Sequence, residues 1–87
     1  MDQNLKKLKM DLDAAIRRTK GLDELSRQKL DRLVRYVDMK LQKPDDPANN
    51  AHLTGYLEDN IQYFEATHPD LTMVMNNMLT MLGNLGI

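Results

Sequence analysis

Cysteine and tryptophan are absent from this 87-residue chain, and aromatics are scarce, with one Phe and three Tyr. Without Cys, disulfides and thiolate metal sites are excluded, which agrees with a reducing compartment. A core must come from Leu, Val, Ile and Met, and seven Met make it a soft, adaptable one. Long apolar runs are missing too. No window approaches the roughly 20 apolar residues of a membrane span. The opening Met-Asp-Gln-Asn, followed by lysines, lacks the apolar run of about 7–15 residues that a secretory signal needs. The expectation is a cytoplasmic protein with no membrane contact. Gly-rich phosphate loops, nucleophile elbows and paired-carboxylate arrangements are also lacking. The sequence therefore points away from an enzyme, and no cofactor or metal is expected.

Bases are absent from the second half. All twelve Lys and Arg lie between Lys6 and Lys43, where seven acids leave a net +5. Residues 44–87 carry six acids and no base, a net −6. The overall charge of −1 is a cancellation between opposite halves. A chain this short buries only about 60% of the surface its unfolded form exposes, so one domain is expected and a second subunit would help it.

What is present has helical periodicity. Leu5, Leu8, Leu12 and Ala15 alternate at spacings of three and four, with Ile16 beside them, and predict a helix over about 3–18. Asp13 and Arg17 stand four apart in the favourable order for an ion pair. Gly21 suits the left-handed position that follows a helix end. A second helix is expected from about Asp23 to Gln42, capped by Asp23 or Ser26, with Leu30, Leu33, Val34, Val37 and Leu41 inward. Asp31 with Arg35 and Arg27 with Asp31 are further candidate surface pairs. Leu25 and Tyr36 fall opposite its stripe, either as ordinary exposed apolars or as part of a second contact surface. Residues 44–50, with two Pro, two Asp and two Asn, read as a linker. A third helix is expected over about 51–66, capped by Asn49 or Asn50, with Leu53, Leu57, Ile61 and Phe64 inward.

The last stretch is the most unusual. After Asp70 it carries no charged side chain. On a helix, Leu71, Val74, Met75, Met78, Leu79, Met81, Leu82 and Leu85 share one arc, and Thr72, Asn76, Asn77, Thr80 and Asn84 take the other side. Leu71, Val74, Met75, Met78, Leu82, Leu85, Asn76 and Asn77 are the candidate interface. The asparagines would hydrogen-bond across it, since burying them unpaired costs a few kcal/mol each. Thr67, His68, Pro69 and Asp70 are the candidate turn: Thr67 and Asp70 resemble a capping box, and Pro69 suits a first helical turn.

The remaining chemistry is thin. His68, near Asp70 and Glu65, is either a proton switch or a turn residue closing the third helix; a lone His without a nucleophile or metal partner favours the turn. His52 and His68 would be about 24 Å apart along one helix and cannot share a metal within one chain. Lys6, Lys7, Lys9, Arg17, Arg18, Lys20, Arg27, Lys29, Arg32 and Arg35 could track phosphates. Interleaved acids and a pI near 6.0 argue against a dedicated nucleic-acid binder.

From Tyr63 to Thr72 the chain reads YFEATHPDLT, and it closes with LGNLGI. These stretches resemble a family of small bacterial proteins, domain of unknown function 4404, whose members tend to carry a Phe-Glu-Ala-Ser-His-Pro element and an Asn-hydrophobic-Gly-Ile end. Thr67 stands where Ser is commoner. The resemblance covers about the last 25 residues. It implies a helical, cytoplasmic bacterial protein and brings no activity, substrate or binding residue.

The sequence therefore predicts a single all-α domain, 1–87, of four short helices. A basic hairpin (1–43) and an acidic, apolar hairpin (51–87) are joined at 44–50 into a small bundle completed by dimerisation. The expected role is a protein-interaction module, a homodimer or a binder of another protein. The alternatives are an accessory nucleic-acid protein using the basic hairpin and a pH- or metal-responsive regulator using His68.

Overall fold

A computed structural model describes residues 2–84. Four helices account for nearly all of them: α1 (Asp2–Arg18), α2 (Glu24–Gln42), α3 (Pro47–Phe64) and α4 (Pro69–Asn84). Each helix packs on its neighbours in sequence, and α1 also packs on α4, so the four close into a ring around one core. Short connections force successive helices to run antiparallel. Contacts between opposite ends agree: Lys9 in the first half of α1 meets Asp38 near the end of α2. Asn49 at the start of α3 donates to the Tyr36 carbonyl on α2.

The core follows the three-and-four spacing. Leu5, Leu12 and Ala15 of α1, Leu30, Leu33 and Val37 of α2, Leu53, Leu57 and Phe64 of α3, and Leu71, Met75, Met78 and Leu82 of α4 are all buried. Leu8, Ile16, Val34, Leu41 and Ile61 pack at its margin. Among the described residues five polar ones are buried too, and two of them, Lys40 and Asn60, fall in the core series. Lys40 continues the α2 series 30, 33, 37, and only 5% of it is exposed. Asn60 sits between Leu57 and Phe64 and is fully buried. Polarity marks both as surface residues; spacing marks them as core.

Helix ends explain the boundaries. The Thr19 hydroxyl donates to the Ala15 carbonyl at 2.7 Å, closing α1. Gly21 then takes φ +76°, a left-handed conformation open to glycine at little cost. Asp23 caps α2 by accepting from the Ser26 backbone N–H at 2.9 Å. A hydrogen bond from the Ser26 side chain, seconded by that backbone bond, holds the Asp23 carboxyl below the usual aspartate range.

Three expectations need correction here. The linker does not extend to Asn50: α3 starts at Pro47, and its cap is Asp46, which accepts from the Ala48 and Asn49 N–H groups. Pro47 lies in the first turn, where its fixed φ and missing N–H cost nothing, so it starts a helix instead of breaking one. The Thr67–Asp70 capping box does not form. Pro69 does open α4, but the first-turn donors Leu71 N–H and Thr72 N–H go to the His68 carbonyl, and the Thr72 hydroxyl donates to the Pro69 carbonyl. The expected Asp13–Arg17 pair is also not formed, whereas Arg27, Asp31 and Arg35 face solvent as expected. Asp13 meets Lys9 at 4.0 Å, and Lys9 is drawn more closely to Asp38 at 3.0 Å.

Candidate interaction surfaces

Of the residues named on α4, Leu71, Met75, Met78 and Leu82 are consumed by the chain's own core, and Val74 is half-buried. Asn76 and Asn77 are exposed. Leu85 lies outside the described residues. What α4 offers outward is Met73, 58% exposed, with Asn76, Asn77 and Thr80. That strip has hydrogen-bonding groups but no charge.

The turn before α4 is a structural joint. His68 donates its backbone N–H to the Phe64 carbonyl at 2.8 Å, and its half-buried ring leans on Phe64 with centroids 5.8 Å apart. Thr67, Pro69 and Asp70 are exposed beside it. Together with Arg18, Thr19 and Lys20 these four residues line a shallow cavity of about 180 Å³ at one end of the bundle. The turn-residue reading of His68 accounts for each of its contacts. His52 is a helix away and stacks on Tyr36, with centroids 6.1 Å apart. Among the described residues no three His, Asp or Glu side chains gather closely enough to hold a metal ion. Nor is any described helix long and apolar enough to cross a membrane.

Several of the basic residues have acidic or apolar neighbours. Arg17 and Arg27 line a cavity of about 290 Å³ between α1 and α2 that also includes Asp31 and the apolar Ile16, Leu22 and Leu30. Lys7 is paired with Asp11 at 3.3 Å. The hydrogen bond from Lys9 to Asp38, reinforced by the carboxylate's charge, pushes the Lys9 ammonium pKa up.

A further surface, which takes in Leu25 and Tyr36, lies along α2 and α3. All three tyrosines lie along these two helices. The Tyr36 and Tyr56 rings are edge-to-face, 5.4 Å between centroids. The Lys29 ammonium lies 4.7 Å above the Tyr63 ring. Leu25, Gln28, Lys29, Arg32 and Tyr56 surround a depression of about 140 Å³. Burial pushes the Tyr56 hydroxyl pKa up; the Arg32 charge pulls it down, and the Asp59 charge pushes it up. The signal is in the spacing. Leu25, Lys29, Arg32 and Tyr36 repeat at four, three and four on α2, and Tyr56, Asp59 and Tyr63 at three and four on α3. These are second stripes beside the core stripes.

The charge arrangement completes the geometry. The two hairpins pack on each other through α2 with α3 and α1 with α4. Yet the ion pairs among the described residues are Lys7–Asp11, Lys9–Asp13 and Lys9–Asp38, all within the basic half. None joins a base of the first half to an acid of the second.

The family model for a domain of unknown function, DUF4404, matches residues 1–87. The chain belongs to this family. The match takes in the basic α1–α2 hairpin as well as the Phe64–Pro69 element, so both halves of the bundle are parts of one DUF4404 domain. No curated protein and no solved structure matches the chain.

Proposed function

We propose that this DUF4404 protein is a non-catalytic interaction module that works as a homodimer. The observation that carries the reading is the unpaired charge of its two halves. One half of the chain is +5 and the other −6, the halves are packed together, and no ion pair crosses between them among the described residues. Opposite charge displayed on two faces of one small body attracts a second copy, sets its orientation and disfavours wrong registers. Exposed Leu25, Met39, Tyr63 and Met73 supply apolar contact area. The single-chain bundle leaves all of this to solvent.

The test is solution mass by sedimentation equilibrium. The expected value is near twice 10.1 kDa. It should move toward the monomer as ionic strength rises from about 0.05 to 0.5 M, because exposed charges are screened over that range. A chain that stays monomeric at low salt and about 100 µM, well above the micromolar constants of weak interfaces, removes the reading.

A further inference from the structure

We propose that the second copy docks on the α2–α3 face, with the two-fold axis parallel to the bundle axis. This rests on the homodimer reading and names its surface. Among the described residues, three of the five exposed large apolar side chains lie on α2 and α3: Leu25 (52%), Met39 (47%) and Tyr63 (40%). The other two, Met10 and Met73, are isolated from them on α1 and α4.

Symmetry makes this face complementary to itself. Its α2 edge carries Lys29 and Arg32, and its α3 edge carries Asp59, three residues after Tyr56 and four before Tyr63. A rotation of 180° about an axis parallel to the helices lays α2 of one copy against α3 of the other. It also preserves height along the bundle. Lys29 meets Tyr63 and Tyr36 meets Tyr56 across the antiparallel pair, so Arg32 and Asp59, each between those two contacts, stand at about one height. Arg32 of each copy therefore meets Asp59 of the other. Lys29 and Tyr63 also share a height, so the cation–ring contact within one chain is offered again between chains. The closed contact is isologous, as most small dimers are. Its tyrosines alternate with its charges, and aromatic residues are enriched at interfaces.

The size is sufficient. The bundle measures 35 × 21 × 19 Å. One long face thus offers on the order of 700 Å² per copy, close to the roughly 800 Å² per partner of a standard stable interface. The charge-free strip on α4 has no comparable argument: its Met73, Asn76, Asn77 and Thr80 give a second copy no electrostatic register.

The experiment uses two exposed single variants, Arg32→Glu and Asp59→Lys, and their mixture. Each alone places like charges opposite each other twice and should weaken dimerisation by at least about ten-fold. Mixed one to one, they restore both pairs. The new carboxylate at position 32 of one variant faces the new ammonium at position 59 of the other, and the untouched Asp59 and Arg32 face each other across the axis. A mixed dimer near the wild-type affinity is the expected result. A wild-type dimer whose affinity neither variant changes overturns the α2–α3 face while leaving the dimer intact; if Asn77→Lys then breaks it, α4 is the interface. Weakened variants that the mixture does not rescue also overturn the proposal, since the charges then act within one chain. A monomeric wild type removes the homodimer reading itself. Circular dichroism checks that each variant folds. If either does not, Leu25→Lys replaces the pair, and an undiminished dimer overturns the proposal.

Discussion

Replacing Asn60 with Leu should stabilise this protein. Asn60 is fully buried on the inner side of α3, between Leu57 and Phe64, and neither its amide nitrogen nor its amide oxygen has a hydrogen-bond partner. A buried polar group left unsatisfied costs about 1–3 kcal/mol. Leucine removes that cost and gains about 0.5 kcal/mol of helix propensity. Its slightly different shape gives back about 1 kcal/mol through local crowding. The net expectation is about 1–2 kcal/mol in favour of Asn60→Leu. For a chain of this length each kcal/mol moves the melting midpoint by about 4–8 °C, so a rise of about 10 °C is expected. With a slope of about 1 kcal/mol per M, the urea midpoint should rise by about 1–2 M. The assay is urea unfolding followed by circular dichroism. Both proteins are held at one concentration, because dimerisation makes apparent stability concentration-dependent. An unchanged slope shows that the same surface is exposed in each. A lower midpoint for Asn60→Leu, with helix content intact, would refute the reasoning. It would mean that the amide is satisfied in solution by a water held inside the core.

Three further substitutions test the helix ends and the buried Lys40. Gly21→Ala forces a Cβ into a left-handed backbone, which costs about 1–2 kcal/mol and should lower the melting midpoint although the space around Gly21 is open. Asp23→Ala removes the α2 cap and should lower the urea midpoint at pH 7. The Asp23 carboxyl is held below its ordinary range when folded, so its contribution is fully present above that range and is lost as pH falls through the folded value. The gap between wild type and variant should therefore close in acid, and a gap that persists would refute the cap assignment. Lys40→Met keeps the buried stem but deletes the ammonium that donates to the Pro44 carbonyl. A hydrogen bond to a charged group is worth about 1.5–3 kcal/mol, so thermal unfolding should show a loss toward the lower figure, the new methyl offsetting part of it.

The helices are legible wherever residue type and spacing agree. On α1 the apolar positions alone define the buried side, and Asp23 is a favourable cap of α2 that the structure uses. Legibility fails where one signal has two meanings. Proline ends a helix in its interior and begins one in its first turn, so Pro47 reads as part of a linker while it opens α3 behind Asp46. Asn60 and Lys40 have the spacing of core residues and the polarity of surface ones, and the structure sides with periodicity. The α2–α3 face is hidden for a related reason. Its tyrosines and cations sit beside the core stripe, so each helix alone shows only a flank, and only antiparallel packing brings Tyr36 to Tyr56 and Lys29 to Tyr63.

An apolar stripe establishes that a helix has a partner but not that the partner belongs to another chain. The stripe on α4 is real, yet Leu71, Met75, Met78 and Leu82 are spent on the core that α1, α2 and α3 share with it. Once those residues are internal, hydrophobic surface no longer argues for a dimer, and charge has to carry the case. Charge does so because packing brings α2 against α3 and still leaves Arg32 and Asp59 outside any ion pair among the described residues. Exposed pairs add only about 0–1 kcal/mol to the stability of a fold, so folding alone gives little reason to separate the signs so completely. Between two copies the same separation steers approach and selects one register, an effect that the stability of a single chain does not measure.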